Sequence, residues 1–258
     1  MAILRWSDAA RAWQPVPGGS PEGLDGAEVG LYETLLTSAS RYALGLHFDR
    51  IARSWQQLTG KPFPADTVPS LGDARTEAIR QQWPGLRFEV RSFADGRAVA
   101  QIRRRDKPLV TPPVRLLPVD VDGPEGAYPH KSVDREHLTR VLQRAVAAGA
   151  DDALFVVRGE VRDTAQAFVG FVTADALVLP PLRADVLPST TRTAAADWCR
   201  EHGRAVIERP IRADELGAGT LIYGNALIGL LPAVVVERAP TSLPPWFSVA
   251  AIERRLAE

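Results

Sequence analysis

Lys131 sets the chemistry first, standing in the run Tyr128-Pro129-His130-Lys131-Ser132-Val133-Asp134-Arg135 between a Gly/Asp/Pro-rich stretch and a helical pattern. A loop lysine beside a domain boundary can project into a cleft, where desolvation or a cationic neighbour lowers its pKa and favours Schiff-base chemistry. The plainer reading of such a lysine is a solvated surface amine. Other chemistries find less support. His47, His130, His137 and His202 form no HExxH or compact set with a cysteine, so no metal site is expected. The chain has no GxGxxG between a strand and a helix, no GxxxxGK[ST] loop and no GxSxG elbow.

Two further places suit an anion. Arg50 follows His47 by one helical turn, and its guanidinium fork fits a phosphate or an ion pair with Asp49 or another neighbouring acid. Thr190 and Thr191 stand where a helix starts, so their hydroxyl and N–H groups suit either a phosphate or simple N-capping. Arg91, Arg97 and Arg103 fall on a predicted hairpin, as partners for substrate carboxylates or as solvated strand charges, with Arg97 beside the turn. The run Arg103-Arg104-Arg105 with Lys107 reads as a solvated strand end or as the rim of a site for an acidic ligand.

The elements that must position these residues follow from periodicity. Val29 to Thr37 reads as a strand that puts Tyr32 and Thr34 on one face, and Leu44, Phe48, Ile51, Trp55 and Leu58 mark an amphipathic helix. A weaker helix at 73–83 leads into strands at 86–93 and 98–102, joined through Asp95-Gly96. The first 28 residues read as loop, and prolines 108, 112, 113 and 118 rule out a long helix before the connection. Beyond it the pattern predicts helices at 133–148, 191–202 and 248–256. Strands are predicted at 153–157, 167–172, 176–179, 205–208, 220–223 and 230–236.

Composition bounds the rest. The 258 residues carry 31 Lys+Arg against 31 Asp+Glu, a zero net charge that weakens a nucleic-acid role. A lone Cys199 cannot form an internal disulfide, so a reducing, cytoplasmic setting is expected. The polar run Arg5 to Asp8 lacks the apolar core of a signal peptide, and no apolar stretch reaches the roughly 18 residues of a membrane span.

Several motifs, taken in order, resemble the fold-type IV pyridoxal-phosphate family of class IV aminotransferases. They are Tyr32-Glu33-Thr34-Leu35 with His47-Phe48-Asp49-Arg50, the segment His130 to Arg135, Gly159-Glu160-Val161-Arg162-Asp163-Thr164, Leu187 to Arg192, and Tyr223-Gly224-Asn225-Ala226-Leu227 with Gly229 and Pro232. The resemblance spans roughly residues 29 to 237 and implies an α/β (α+β) fold. It would comprise a smaller N-terminal α/β domain (1–118), a connection (119–129) and a larger C-terminal pseudo-barrel domain (130–258), with pyridoxal 5′-phosphate bound between them.

By that resemblance Lys131 carries the cofactor as a Schiff base and then moves protons at the substrate Cα and the cofactor C4′. Asp163 pairs with the pyridine nitrogen, while Arg50, Thr190, Thr191, Gly224 and Asn225 hold the cofactor. On the residues alone, Tyr32 and Thr34 either line a cavity for a small-molecule amine substrate or pack as an ordinary strand face, and Arg97, beside the turn, is the favoured partner for a substrate carboxylate. Three positions depart from the family pattern: Asp163 replaces the usual Glu, Phe168 the usual Asn, and Gly224 a hydroxyl residue. Tyr32-Glu33-Thr34-Leu35 and Asn225-Ala226-Leu227 are most similar to aminodeoxychorismate lyase. That implies conversion of 4-amino-4-deoxychorismate to 4-aminobenzoate and pyruvate, a step toward folate or another aminobenzoate product. The alternatives are a D-amino-acid or branched-chain type aminotransferase and a noncatalytic protein on the same fold. A homodimer is expected from the family, with no nucleic-acid or membrane partner.

Overall fold

Two tryptophans build a hairpin where the sequence reads as loop. Strands β1 (Ile3–Ser7) and β2 (Ala12–Pro15) pair antiparallel with Trp6 opposite Trp13, their rings edge to face at 5.6 Å. Strands of five and four residues are too short for alternation to reveal, and the cross-strand aromatic pair supplies the stability that length does not. The computed structural model describes residues 2–16, 24, 26–121, 128–183, 186–217, 219–239 and 241–257.

Strands β3 (Val29–Leu36), β4 (Gly85–Ser92) and β5 (Ala98–Arg105) complete an antiparallel sheet in the order β2-β1-β5-β4-β3. Leu31, Leu35, Leu86, Phe88, Val90 and Ile102 are fully buried on one face. Against it pack α1 (Arg41–Thr59), capped by the Ser40 hydroxyl, and α2 (Leu71–Arg80), opened by a Ser70/Asp73 capping box. Alternation leaves the other face of the sheet polar.

The second sheet has nine strands in the order β11-β10-β9-β13-β14-β6-β7-β8-β12. They are β6 (Val114–Asp120), β7 (Asp152–Val157), β8 (Glu160–Thr164), β9 (Phe168–Val172), β10 (Ala176–Leu179), β11 (Ala205–Glu208), β12 (Ile211–Arg212), β13 (Thr220–Asn225) and β14 (Gly229–Val235). Side chains from β6 to β10 and from β12 to β14 meet in one buried cluster, as a sheet curled around its own core requires. Helix α3 (Glu136–Ala147) covers β6 and β7, α4 (Thr190–Glu201) covers β9, β11 and β13, and α5 (Val249–Ala257) ends the described chain.

Strands β6, β8 and the two-residue β12 are the further additions to the sequence reading. β6 carries Pro118, but it pairs in parallel between β14 and β7, where its remaining donors and acceptors are used. Helix α3 starts at Glu136 rather than 133 because Ser132 and Val133 are engaged with β3. The expected connection at 119–129 falls largely on residues 122–127, outside the described residues.

The architecture is α/β, with a small N-terminal sheet-and-helix domain and a larger curled sheet. Chain contacts divide it into one unit of 1–108, 130–134 and 257–258 and another of 109–129 and 135–256. Among the described residues no helix is long and apolar enough to cross a membrane, and no three His, Cys, Asp or Glu side chains gather as metal ligands.

Candidate active site

In the first unit Lys131 is held as an added edge of the sheet. The Tyr32 N–H donates to the Lys131 carbonyl at 2.9 Å, the Val133 N–H donates to the Gly30 carbonyl at 2.8 Å, and Leu31 bridges Ser132. Glycine at 30 permits this approach, since a Cβ there would lie 3.0 Å from Val133 Cγ2. His130 Nδ1 meets Ser54 Oγ of α1 at 3.1 Å, which fixes the other side of the lysine. Lys131 Nζ itself stands 4.9 Å from the centroid of the Tyr32 ring.

Glu33, one residue along β3 and on the opposite face, is fully buried and gathers two side chains of α1. Its Oε1 accepts from Arg50 Nε at 2.8 Å, and its Oε2 accepts from Arg50 Nη2 at 2.5 Å and from His47 Nδ1 at 2.7 Å. Burial opposes the charge on Glu33, but Arg50 and His47 overcome it and hold the carboxyl at about 2. For His47 burial wins over the Glu33 carboxylate, so the imidazole lies below its ordinary pKa and donates as the neutral Nδ1–H form. Glu33 is thus the acid that anchors Arg50, where the sequence offered Asp49 or another neighbouring acid. Its position opposite Phe88 in register, with α1 overhead, was the missing information.

Tyr32 and Thr34 lie on the polar face of the same sheet, paired with Glu89 and Arg87. Arg91 and Arg103 reach Glu89 on that face. Arg97 does not join them: it is exposed at the β4–β5 turn, ion-paired with Asp95 at 3.4 Å and lying over the Phe93 ring at 4.4 Å.

In the second unit the remaining candidates converge on α4 and the turns beside it. Ser189 is the N-cap of α4, its Oγ accepting from the Arg192 N–H, so neither Thr190 nor Thr191 is needed for capping. Thr191 Oγ1 is buried with no partner among the described residues, in the first turn of a helix of 12 residues. Arg192 is spent on the Pro180 carbonyl at 3.0 Å and on Glu208 at 3.2 Å. Asp163 is the penultimate residue of β8, its Oδ1 accepting from the Thr164 N–H, and lies near enough to Arg192 and Tyr223 to act on both electrostatically.

Asn225 is committed to its own turn: Oδ1 accepts from the Leu227 and Ile228 N–H groups while Nδ2 donates to the Gln166 carbonyl. Gly224 and Phe168 are cross-strand partners on β13 and β9. A Cβ at 224 would meet the Gly229 carbonyl at 2.7 Å, Leu230 Cδ1 at 3.0 Å and Phe168 Cε1 at 3.2 Å. The two departures that the sequence presented separately therefore belong to one packing arrangement.

Asp152, which sequence reasoning missed, ties these turns together. Fully buried at the start of β7, it accepts from Tyr223 Oη at 2.9 Å and from the Gln166 N–H at 3.1 Å. Burial raises its pKa to about 6 against the opposing hydrogen bonds.

Each unit carries one group whose chemistry suits a phosphate-bearing aldehyde cofactor. In the second, the orphaned Thr191 hydroxyl beside the N–H groups of α4 suits a phosphate; in the first, Lys131 offers a primary amine able to link to an aldehyde. Several solved structures share this fold. A putative 4-amino-4-deoxychorismate lyase from Legionella pneumophila is 19% identical with a TM-score of 0.76, covering 92% of this chain and 94% of its own. A branched-chain aminotransferase from Thermoproteus uzoniensis is 19% identical at a TM-score of 0.79, covering 99% and 94%. A hypothetical aminotransferase from Mycobacterium tuberculosis in a PLP-bound form is 17% identical at 0.76, covering 100% and 99%. No curated protein sequence matches the chain. The family model described as amino-transferase class IV matches residues 30–236, four-fifths of the sequence and every element that carries Lys131, Asp163 and Thr191; the chain belongs to this family, the pyridoxal-phosphate-dependent enzymes of fold type IV.

Proposed function

We propose that the protein is an aminotransferase that passes an amino group from a carboxylate-bearing amine to a 2-oxo acid, using pyridoxal 5′-phosphate. The observation that carries this reading is Lys131, aligned on β3 against Tyr32 in a chain that fits the class IV family throughout residues 30–236. Bound pyridoxal phosphate supplies an aldehyde carbon that links to amines and a ring that draws electrons from the attached carbon.

The chain's own groups do the remainder. Lys131 Nζ anchors the cofactor and, once a substrate amine displaces it, carries the proton between the substrate Cα and the cofactor C4′. Asp163 holds the proton on the pyridine nitrogen; its carboxylate supplies the charge of the family's usual Glu with one methylene less. The Thr191 hydroxyl and the first N–H groups of α4, with Thr190, receive the phosphate, and Arg50, oriented by Glu33, adds a cation. Gly224 and Asn225 contribute a shaped backbone turn on the cofactor side. Tyr32 and Thr34 line the substrate's place, with Arg97 at its turn. A cytoplasmic homodimer belongs to the same reading and is checked by light scattering.

The second reading is an aminodeoxychorismate lyase, favoured by the likeness to the Legionella pneumophila structure. The test begins with cofactor-loaded protein. Long-wavelength absorbance that depends on Lys131 and is trapped by borohydride supports the amine link, and its absence from folded, saturated protein refutes it. Addition of an amino acid alone then separates the readings: an aminotransferase loses the band until a 2-oxo acid is supplied, whereas a dedicated lyase keeps it and releases pyruvate from 4-amino-4-deoxychorismate.

A further inference from the structure

Asp163 stands where the ladder between β7 and β8 slips by one residue. Leu154 pairs with Thr164 and Val156 with Val161, so Arg162 and Asp163 together face the single residue Phe155. Such a bulge bends its strand and re-aims the side chains on it. On the other side β12 pairs with Val161 and Glu160, short of Asp163. The second bulged residue, Arg162, is only 7% exposed, and its Nε and Nη1 have no partner among the described residues, so the bulge does not serve local stability.

The turn after the bulge is tied from two directions. Residues 164–167 close on themselves through the Thr164 hydroxyl, which accepts from the Ala167 N–H at 2.9 Å and donates to the Ala167 carbonyl. From β7, Asp152 Oδ2 accepts from the Gln166 N–H, and the Ala153 carbonyl accepts from the Ala165 N–H at 3.3 Å. From β13, Tyr223 Oη donates to the same Asp152 Oδ2, and Asn225 Nδ2 donates to the Gln166 carbonyl. The β8–β9 turn is thus clamped between the first residue of β7 and the last residues of β13, and the Tyr223 phenol in that clamp also feels the Asp163 charge. A short acid needs such a clamp. Aspartate has one side-chain torsion fewer than glutamate, so it cannot recover a misplaced backbone by rotation.

We propose that Asp152 is a positioning residue: through Gln166 and Tyr223 it locks the β8–β9 turn and thereby sets where the Asp163 carboxylate meets the pyridine nitrogen of the cofactor. The inference rests on the role of Asp163 in the proposed function and extends it to a buried acid that touches no reacting atom.

The test titrates pyridoxamine 5′-phosphate, labelled with nitrogen-15 in the ring, into full-length protein. This probe carries the ring and the phosphate but no aldehyde for Lys131, and the chemical shift of its label reports whether the ring nitrogen is protonated. Wild-type protein binds it and moves the label to the protonated position. Asp163→Asn abolishes that movement and weakens binding roughly 10-fold or more, the loss of a charge-assisted hydrogen bond. Asp152→Ala weakens binding about 3- to 10-fold and leaves the label part-way, whereas Asp152→Asn, which keeps an acceptor for Gln166 and Tyr223, stays closer to wild type. Tyr223→Phe removes one arm of the clamp and carries the test if Asp152→Ala does not fold. The double variants decide the route: an effect that runs through Asp163 disappears in the Asp163→Asn background. Losses that persist in that background, or wild-type binding and chemical shift in the folded Asp152→Ala or Tyr223→Phe protein, overturn the proposal while the role of Asp163 stands. A label still protonated in Asp163→Asn, or no binding by the wild-type protein, refutes the underlying reading and the proposal with it.

Discussion

Glu33 concentrates more electrostatic consequence than any of the residues it supports. Both groups it binds, Arg50 and His47, are buried, so its removal would leave an uncompensated cation and an unpaired imidazole N–H in the interior. Breaking a buried pair from one side typically costs about 3–5 kcal/mol, and Glu33→Gln is expected to lose that much in urea unfolding at neutral pH. The pH dependence has a definite sign. With its pKa lowered from 4.5 to about 2, Glu33 contributes stability that is complete above pH 4.5 and drains away as pH falls toward 2. The shift is equivalent to about 3 kcal/mol. Unfolding curves at pH 7, 4 and 3 should therefore converge for wild type and Glu33→Gln as the medium becomes acid; parallel curves would show that Glu33 is not the residue that stores this energy.

At the scale of elements, the reactive lysine depends on how closely one short segment lies against β3. Gly30→Ala places a methyl carbon 3.0 Å from Val133 Cγ2, so Val133 and the segment that carries Lys131 must give way by a few tenths of an ångström. The expected result is a loss of Lys131-linked cofactor absorbance larger than the change in melting temperature, with partial recovery in Gly30→Ala/Val133→Ala; a variant that loads cofactor like wild type would refute it. A second element-scale prediction concerns the β13–β14 hairpin. Gly224→Ser meets the Gly229 backbone carbonyl at 2.7 Å as well as Phe168, so it should destabilise by about 1–3 kcal/mol, and Phe168→Ala should restore only the smaller part. Full rescue would mean that the aromatic ring alone excludes the hydroxyl. These contacts also explain what the sequence could convey. Strands β3, β4 and β5 and helices α1, α2 and α4 were legible because their periodicity records which face is buried. β1 and β2 were too short to carry a period, and β6, with Pro118, contradicts the usual pattern of a central strand. The motif order led to Lys131, Asp163 and Thr191, but the partners of these residues come from register and helix docking, which no local pattern encodes. Glu33 and Asp152 were therefore overlooked as organisers.

At the scale of the whole molecule, a zero net charge conceals buried acids that respond to pH in opposite directions. Glu33, in the first unit, favours folding more as pH rises to 4.5. Asp152, in the second, has a pKa raised from 3.8 to about 6, so the native state holds its proton more tightly than the unfolded chain does. Its contribution is complete below pH 3.8 and is lost as pH rises through 6, about 3 kcal/mol in all, because the ionised carboxylate must then remain buried at the start of β7. The fall in stability above pH 4 should accordingly be carried by the second unit, and the fall below it by the first. Asp152→Asn cannot ionise and should flatten the stability profile between pH 4 and 7 while leaving the acid limb of Glu33 intact. Calorimetric scans across that range decide the matter: if the variant keeps the wild-type slope, Asp152 is already ionised in the native state, and the three donors around it, Tyr223 Oη and the Ala153 and Gln166 N–H groups, outweigh its burial.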